Sequence, residues 1–412
     1  MRRPSAITSL PCPPTDARGE TVMLPDDLCP RAPGPLHLPT HPHSPAIYPT
    51  SVWECSDPEQ ANRLLGGELT GYVYQRDGHP NADQFAAKCA ELHGAERAII
   101  TASGMSALSV AVLSQLQHGD HVVVSNRLYG RSLLLFGAEC PRLGIPCSVV
   151  DTEDLHAVRT ALTERTRLIV VETLANPLLQ VADIAALAEL AHHHGAQLLV
   201  DNTFASPALC RPLELGADWV MESVSKMMNG HSDIMLGLLA GSAARWQRVP
   251  LVTAAWGLAS SPFDCWLALR GLSTLAVRME RACANALRVA EYLTSRAEVM
   301  RVDYPGLASH PHHQLARRQL HNGFGSIVAF HLPGGTSSAE RFIRAARRIP
   351  FCPSLGEVGT TLSHPESTSH RGLSAAQRAE LGIGGGTIRL SVGIESADYI
   401  LDALAEGLAA LA

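Results

Sequence analysis

Along the first half of the chain, short runs of nearly continuous apolar residues alternate with stretches of helical spacing. The runs at 97–101, 121–125, 147–151, 168–172, 197–201 and 219–224 are rich in Val, Ile and Leu and read as strands. Between them, 105–116, 154–162 and 183–194 have the composition and spacing of helices. A strand with one wet face alternates apolar and polar residues. These runs do not, which fits parallel strands covered by helices on both faces. The pattern predicts an open, mostly parallel α/β sheet, and such sheets collect functional groups beyond the carboxyl ends of their strands.

After residue 250 the pattern changes. Residues 263–297 read as one or two long helices entered through an SSPFD cap signal, and the remainder mixes strands (325–332, 386–392) with helices (337–348, 398–411). This predicts a smaller α+β domain at 263–412 following an α/β domain at 71–262. Residues 1–70 form an N-terminal arm. Its first ~45 residues are rich in Pro, show no sustained period, and are expected to be disordered or extended.

The predicted strand ends carry the candidate chemistry. Lys226 follows an apolar run within ESVSKMMNGHSD, between small hydroxyl residues and a glycine turn. A lysine held rigid and partly desolvated has a lowered pKa and can form an imine with an aldehyde, the way pyridoxal phosphate is held. A lone lysine in a turn is more often solvated surface, so the reading depends on its company. Such a site needs an imine lysine, an acid for the pyridinium nitrogen, a phosphate cradle and a group against the ring face. Asp201 ends the run QLLVD; it can keep a ring nitrogen protonated, although alone it would be a strand-end cap. Ser103, Gly104 and Met105 lie at a strand-to-helix junction, ASGMSAL, where free N–H groups and the helix dipole suit a phosphate. Ser223 and Ser225 flank the lysine and offer hydroxyl donors to the same phosphate. Tyr129, in RLYGRS, can stack on the ring and act near the reacting carbon. Tyr74 and Arg76, in YVYQRDGHPN, supply a phenol and a guanidinium of the kind that grip phosphate. Arg389 stands inside an apolar strand, TIRLSVG, where burial calls for an anion: a structural acid or the α-carboxylate of an amino-acid substrate.

Composition narrows the classes. The net charge of −6 has no long run of either sign, which argues against nucleic acid or an anionic membrane surface and for small-molecule chemistry. The ten cysteines are scattered singly without a C-x-x-C pair, a pattern that suits a reduced, cytoplasmic protein. No apolar stretch has the length of a membrane span, and prolines interrupt MRRPSAITSLPCPP before a signal core develops. The histidines at 192–194 and 310–313 complete no metal set, and GIGGG at 382–386 lacks the strand-before, helix-after context of a dinucleotide fingerprint. Neither a metal nor a nicotinamide cofactor is expected.

Together these motifs resemble the Cys/Met-metabolism family of fold-type I pyridoxal phosphate enzymes, which includes methionine γ-lyase, cystathionine γ- and β-lyase and cystathionine γ-synthase. The resemblance runs from Tyr48 to the C-terminus and implies the fold-type I transferase architecture, with a mostly parallel central sheet and a smaller C-terminal α+β domain. It implies the imine on Lys226, phosphate hydroxyls on Ser223 and Ser225, the pyridinium acid on Asp201 in VDNTFASP, and the phosphate loop on Gly104 and Met105. It further implies ring stacking by Tyr129, an asparagine near the ring hydroxyl at Asn176 in ETLANPLL, and substrate-carboxylate binding by Ser354 and Arg389. Tyr74 and Arg76 match a pair lent across a dimer interface to the neighbour's phosphate, which implies a homodimer at least, usually paired into a homotetramer.

Departures from the family pattern concern substrate choice. Pro353 stands where members acting on cystathionine often carry an acid, and Gly359 replaces a usual glutamate, with Glu357 displaced nearby. Arg131 occupies a position commonly Gly or Cys in the γ-lyases and is a candidate for binding a distal carboxylate, or for a structural ion pair. The expected reaction is elimination of the sulfur side chain of a sulfur amino acid to a thiol, ammonia and a 2-keto acid. A γ-replacement synthase of the cystathionine γ-synthase or O-acylhomoserine sulfhydrylase type is the alternative. A catalytically silent binding protein is the reading of another class, against which Lys226, Asp201 and Tyr129 stand.

Overall fold

A computed structural model of the protein describes residues 40 and 42–411, so most of the expected proline-rich arm lies outside the described residues. The apolar runs form strands β1 (Arg97–Thr101), β2 (His121–Ser125), β3 (Cys147–Val150), β4 (Thr166–Glu172), β5 (Gln197–Asp201), β6 (Trp219–Ser223) and β7 (Gly237–Gly241). They make one sheet in the order β1-β7-β6-β5-β4-β2-β3. All its pairings are parallel except those of β7, which runs antiparallel to both neighbours. Successive residues point to opposite faces, and both faces are dry. Val123, Ile169, Val171 and Leu198 join one buried cluster; Val122, Val124, Leu168 and Leu199 join another.

Strand β7 is absent from the sequence expectation. Its sequence, GLLAG, begins and ends with glycine and contains no β-branched residue, a composition with little strand signal. The glycines are there for space: a Cβ on Gly237 would lie 2.1 Å from the Ser103 carbonyl oxygen, and one on Gly241 would lie 2.7 Å from that of Asp218.

The second sheet is antiparallel, in the order β10-β11-β9-β8, built from β8 (Arg301–Asp303), β9 (Ile327–His331), β10 (Thr361–Ser363) and β11 (Thr387–Ser391). Strands β8 and β10 have three residues each, too few to show a period. Val328, Phe330, Ile388 and Leu390 of this sheet belong to the same buried cluster as Ile169 and Val200 of the first. Arg389 therefore projects from a strand whose every residue is buried.

Five helices matter for the site: α1 (Pro80–His93), α2 (Gly104–Gln115), α3 (Ile184–His193), α4 (Pro262–Leu272) and α5 (Leu275–Thr294). Helix α1 is not among the elements expected from the sequence; its proline is the first-turn residue of a helix capped by the His79 side chain. Helix α2 starts directly beyond β1, with Ser103 as its cap: the side chain accepts the Ser106 amide. The predicted helical stretch at 263–297 is two helices, α4 and α5, separated at residues 273–274. Among the described residues no helix is long and apolar enough to cross a membrane.

Candidate active site

Because β4, β5 and β6 are parallel neighbours, their carboxyl ends lie side by side, and each ends in a polar residue: Glu172, Asp201 and Ser223. The register pairs Glu172 with Asp201. Asp201 Oδ1 accepts hydrogen bonds from the Thr203 amide at 3.0 Å and the Thr203 hydroxyl at 2.5 Å. Thr203 Oγ1 in turn accepts the Ser223 amide at 2.9 Å, joining the ends of β5 and β6. Burial pushes the Asp201 carboxyl up to about 6, opposed by its Thr203 bonds and reinforced by the charge of Glu222. Glu222 is itself buried, 3.2 Å from His93 Nε2, and accepts a bond from Asn202 Nδ2.

Lys226 occupies a turn just past β6, its amide bonded to the Ser223 carbonyl and its carbonyl accepting the Gly230 amide. Its Nζ donates to Ser354 Oγ at 2.8 Å. Burial lowers the lysine pKa, and the nearby Arg389 guanidinium lowers it further. The backbone of Gly356 presses on this turn at φ +83°, where a Cβ would lie 2.8 Å from the Lys226 carbonyl carbon. Gly104 makes a similar close approach from the other side: a Cβ there would lie 2.9 Å from Ser223 Cβ. The N-terminus of α2, carrying Ser103, Gly104 and Met105, is thus held against Ser223. The Ser225 hydroxyl instead exchanges bonds with both main-chain groups of Leu236.

Arg389 reaches across from the second sheet. Nη1 donates to Asn176 Oδ1 at 2.8 Å and Nη2 to the Ser354 carbonyl at 3.0 Å, while its buried Nε has no partner. Burial lowers its pKa to about 10. Among the described residues it forms no ion pair, so the structural acid left open by the sequence is not present. His370, buried beside it, pairs through Nδ1 with Ser369 Oγ at 2.8 Å; burial and then the charge of Arg389 push it down to about 4. Tyr129 is exposed, and its amide donates to Glu172 Oε1 at 2.5 Å.

The remaining candidates lie apart. Tyr74 and Arg76 are exposed and stack on each other, with the guanidinium 5.1 Å from the ring centroid, and share no hydrogen bond or ion pair with the Lys226 cluster. Arg131 is exposed two residues beyond Tyr129, and Pro353 is exposed next to Ser354. Glu357 lines a small cavity behind the lysine turn together with Met227 and Arg278. Glu172, Thr203, Gly356 and His370 join the site without having been expected there from the sequence. Of these only Glu172 carried a signal: it closes the run LIVVE as Asp201 closes LLVD. Among the described residues no group of three or more His, Cys, Asp or Glu side chains is placed to hold a metal ion.

A helix N-terminus approached through glycine, a desolvated lysine and a half-buried aspartate fit a group that is anionic at one end and basic at the other. Comparison with known proteins identifies that group. The model of the Cys/Met metabolism PLP-dependent enzyme family matches residues 37–409. The chain belongs to that family. This family member is 43% identical over 386 residues to an O-succinylhomoserine sulfhydrylase of Pseudomonas aeruginosa, covering 94% of this chain and 95% of the relative. It is 38% identical over 368 residues to an L-methionine gamma-lyase of Porphyromonas gingivalis, covering 89% and 92%. A solved cystathionine gamma synthase from Xanthomonas oryzae pv. oryzae, in complex with cystathionine, superimposes with a TM-score of 0.85 at 38% identity, covering 89% of this chain and 93% of that one. Like its family, the protein is a pyridoxal-phosphate-dependent enzyme of fold type I. When bound, the cofactor supplies an electron sink for charge generated at the α carbon of an amino acid.

Proposed function

We propose that the enzyme removes the sulfur side chain of a sulfur amino acid, giving a thiol, ammonia and a 2-keto acid. Lys226 holds the cofactor, Asp201 pairs with its ring nitrogen, and Tyr129 lies against its ring with Asn176 at the ring hydroxyl. The Ser103–Met105 amides, with Ser223 and, once its long bond to the Leu236 carbonyl is released, Ser225, receive the phosphate. Ser354 and Arg389 hold the substrate α-carboxylate. Lys226 Nζ, its pKa already lowered by burial, takes the α proton, and the Tyr129 hydroxyl passes a proton to the departing sulfur. The single observation that carries this reading is Arg389: a buried guanidinium with an open Nε, no carboxylate partner among the described residues, and Ser354 and Lys226 alongside.

The exposed Tyr74 and Arg76 serve the phosphate of a neighbouring copy, in a homodimer at least and a homotetramer by pairing of dimers. The described cysteines are all free, which supports a reducing, cytoplasmic location. Lys226→Ala should abolish both the long-wavelength absorbance of the bound cofactor and turnover; an active, yellow variant overturns the assignment.

A second reading, γ-replacement on an activated homoserine ester, is favoured by Arg131, an exposed cation two residues past Tyr129 and suited to a distal carboxylate, and by the 43% likeness to a sulfhydrylase. Keto-acid release from methionine, cystathionine and O-succinylhomoserine, with and without added cysteine, discriminates the two. Release from methionine or cystathionine supports elimination; release suppressed by cysteine in favour of a thioether supports replacement.

A further inference from the structure

Glu172 closes β4 with a carboxylate that has no cationic partner among the described residues. Such a placement is unfavourable. Burial disfavours its charge, and the register sets the Asp201 carboxylate beside it. What it gains in return is two main-chain donors from different segments. The Tyr129 amide donates to Oε1 at 2.5 Å, and the Asn176 amide donates to Oε2 at 3.3 Å. Tyr129 begins the short helix Gly130–Leu134 with no side-chain cap of its own, so the β4 carboxylate takes over that task from outside the segment. Asn176 passes the constraint on: its Oδ1 receives Arg389 Nη1 at 2.8 Å.

We propose that Glu172 is a positioning residue, a carboxylate clamp that fastens the Tyr129 and Asn176 segments to the end of β4 and through Asn176 sets the direction of Arg389. The proposal rests on the reading of Tyr129 and Asn176 as groups facing the cofactor. A glutamine has the same shape but only one acceptor oxygen, and it presents an NH2 group to one of the two donors. Glu172→Gln therefore breaks one arm of the clamp without a change of volume and also removes the like charge beside Asp201.

The 412-residue chain is compared with Glu172→Gln and Glu172→Asp, both cofactor-free and cofactor-loaded. In both forms, amide hydrogen exchange read by mass spectrometry should rise about tenfold or more in the peptides spanning Tyr129 or Asn176, and not at the end of β6. In loaded Glu172→Gln, kcat/KM should fall about tenfold or more and the visible circular dichroism of the chromophore should weaken, while the thermal midpoint stays at or above the parent's. Glu172→Asp, with the charge but not the reach, should behave like Glu172→Gln in exchange and activity. Unchanged exchange in both peptides overturns the clamp. So does an activity loss that only tracks a falling midpoint with the dichroism intact. A parent protein that takes up no cofactor overturns the underlying reading instead, and is told apart because the cofactor-free exchange experiment does not depend on it.

Discussion

Arg278 in α5 and Arg389 in β11 are both buried guanidiniums without an ion pair among the described residues, and burial lowers the pKa of each to about 10. Their hydrogen bonds differ. Arg278 donates to the carbonyls of Met227 at 2.7 Å, Met228 at 2.9 Å and Gly271 at 3.0 Å, and to Thr274 Oγ1 at 3.0 Å. Every nitrogen is engaged, and the acceptors include the two carbonyls that follow Lys226. Gly230 makes room for it, since a Cβ there would lie 2.2 Å from the guanidinium. Arg389 makes two bonds and leaves Nε open. A buried cation with every nitrogen bonded to a neutral oxygen is part of the scaffold; one with a nitrogen left open is prepared for an anion from outside.

The contrast breaks most sharply on substitution by methionine. Arg389→Met should lower kcat/KM roughly 100- to 1000-fold, the loss of a charge-assisted contact worth about 3–4 kcal/mol, while leaving the bound chromophore in place. A loss below roughly tenfold would erase the distinction between the two arginines. Arg278→Met leaves buried carbonyls unsatisfied and should cost about 3 kcal/mol in urea unfolding, with kcat/KM of the folded fraction held within about threefold. An equal stability loss in Arg389→Met would remove the contrast from the other side.

Smaller effects sharpen it. Gly104→Ala should introduce strain of about 1–3 kcal/mol against Ser223, read as weaker retention of cofactor on dialysis; full retention would show that the α2 terminus can shift away. His370 reports the field of Arg389. Because its folded pKa, about 4, lies below the ordinary 6.5, the unfolded chain binds the proton first as pH falls. Stability therefore declines from about pH 6.5 to about pH 4, by roughly 2 kcal/mol at pH 5, and is unaffected above neutrality. His370→Asn should abolish this step, and Arg389→Met should shrink it without removing it, because burial is the larger cause. Identical acid losses in the parent and His370→Asn would contradict the assignment.

Much of the fold is legible in the chain because its signals are local. Six apolar runs separated by helical spacing specify a parallel sheet without reference to anything distant. Strand β7 escaped because its glycines answer to Ser103 and Asp218, neighbours that exist only once the sheet has formed. Within the site, Lys226, Asp201 and Ser103 stand out as polar residues at the ends of apolar runs. Thr203 and His370 give no such signal: a threonine after a strand and a histidine in a loop acquire meaning from the atoms that meet them.

What the sequence by itself determined is therefore the order of six of the first sheet's strands along the chain, the lysine turn after one of them, and the cap that opens α2, each set by residues within one or two helical turns of one another. What only the tertiary structure decided is the set of contacts between distant segments: Lys226 on Ser354, 128 residues away, and Arg389 on Asn176, 213 residues away. The same holds for the two amides gathered by Glu172 and for the open donor of Arg389. Periodicity encodes which side of an element is buried. Which atoms meet there, and which are left without a partner, depends on how the elements pack.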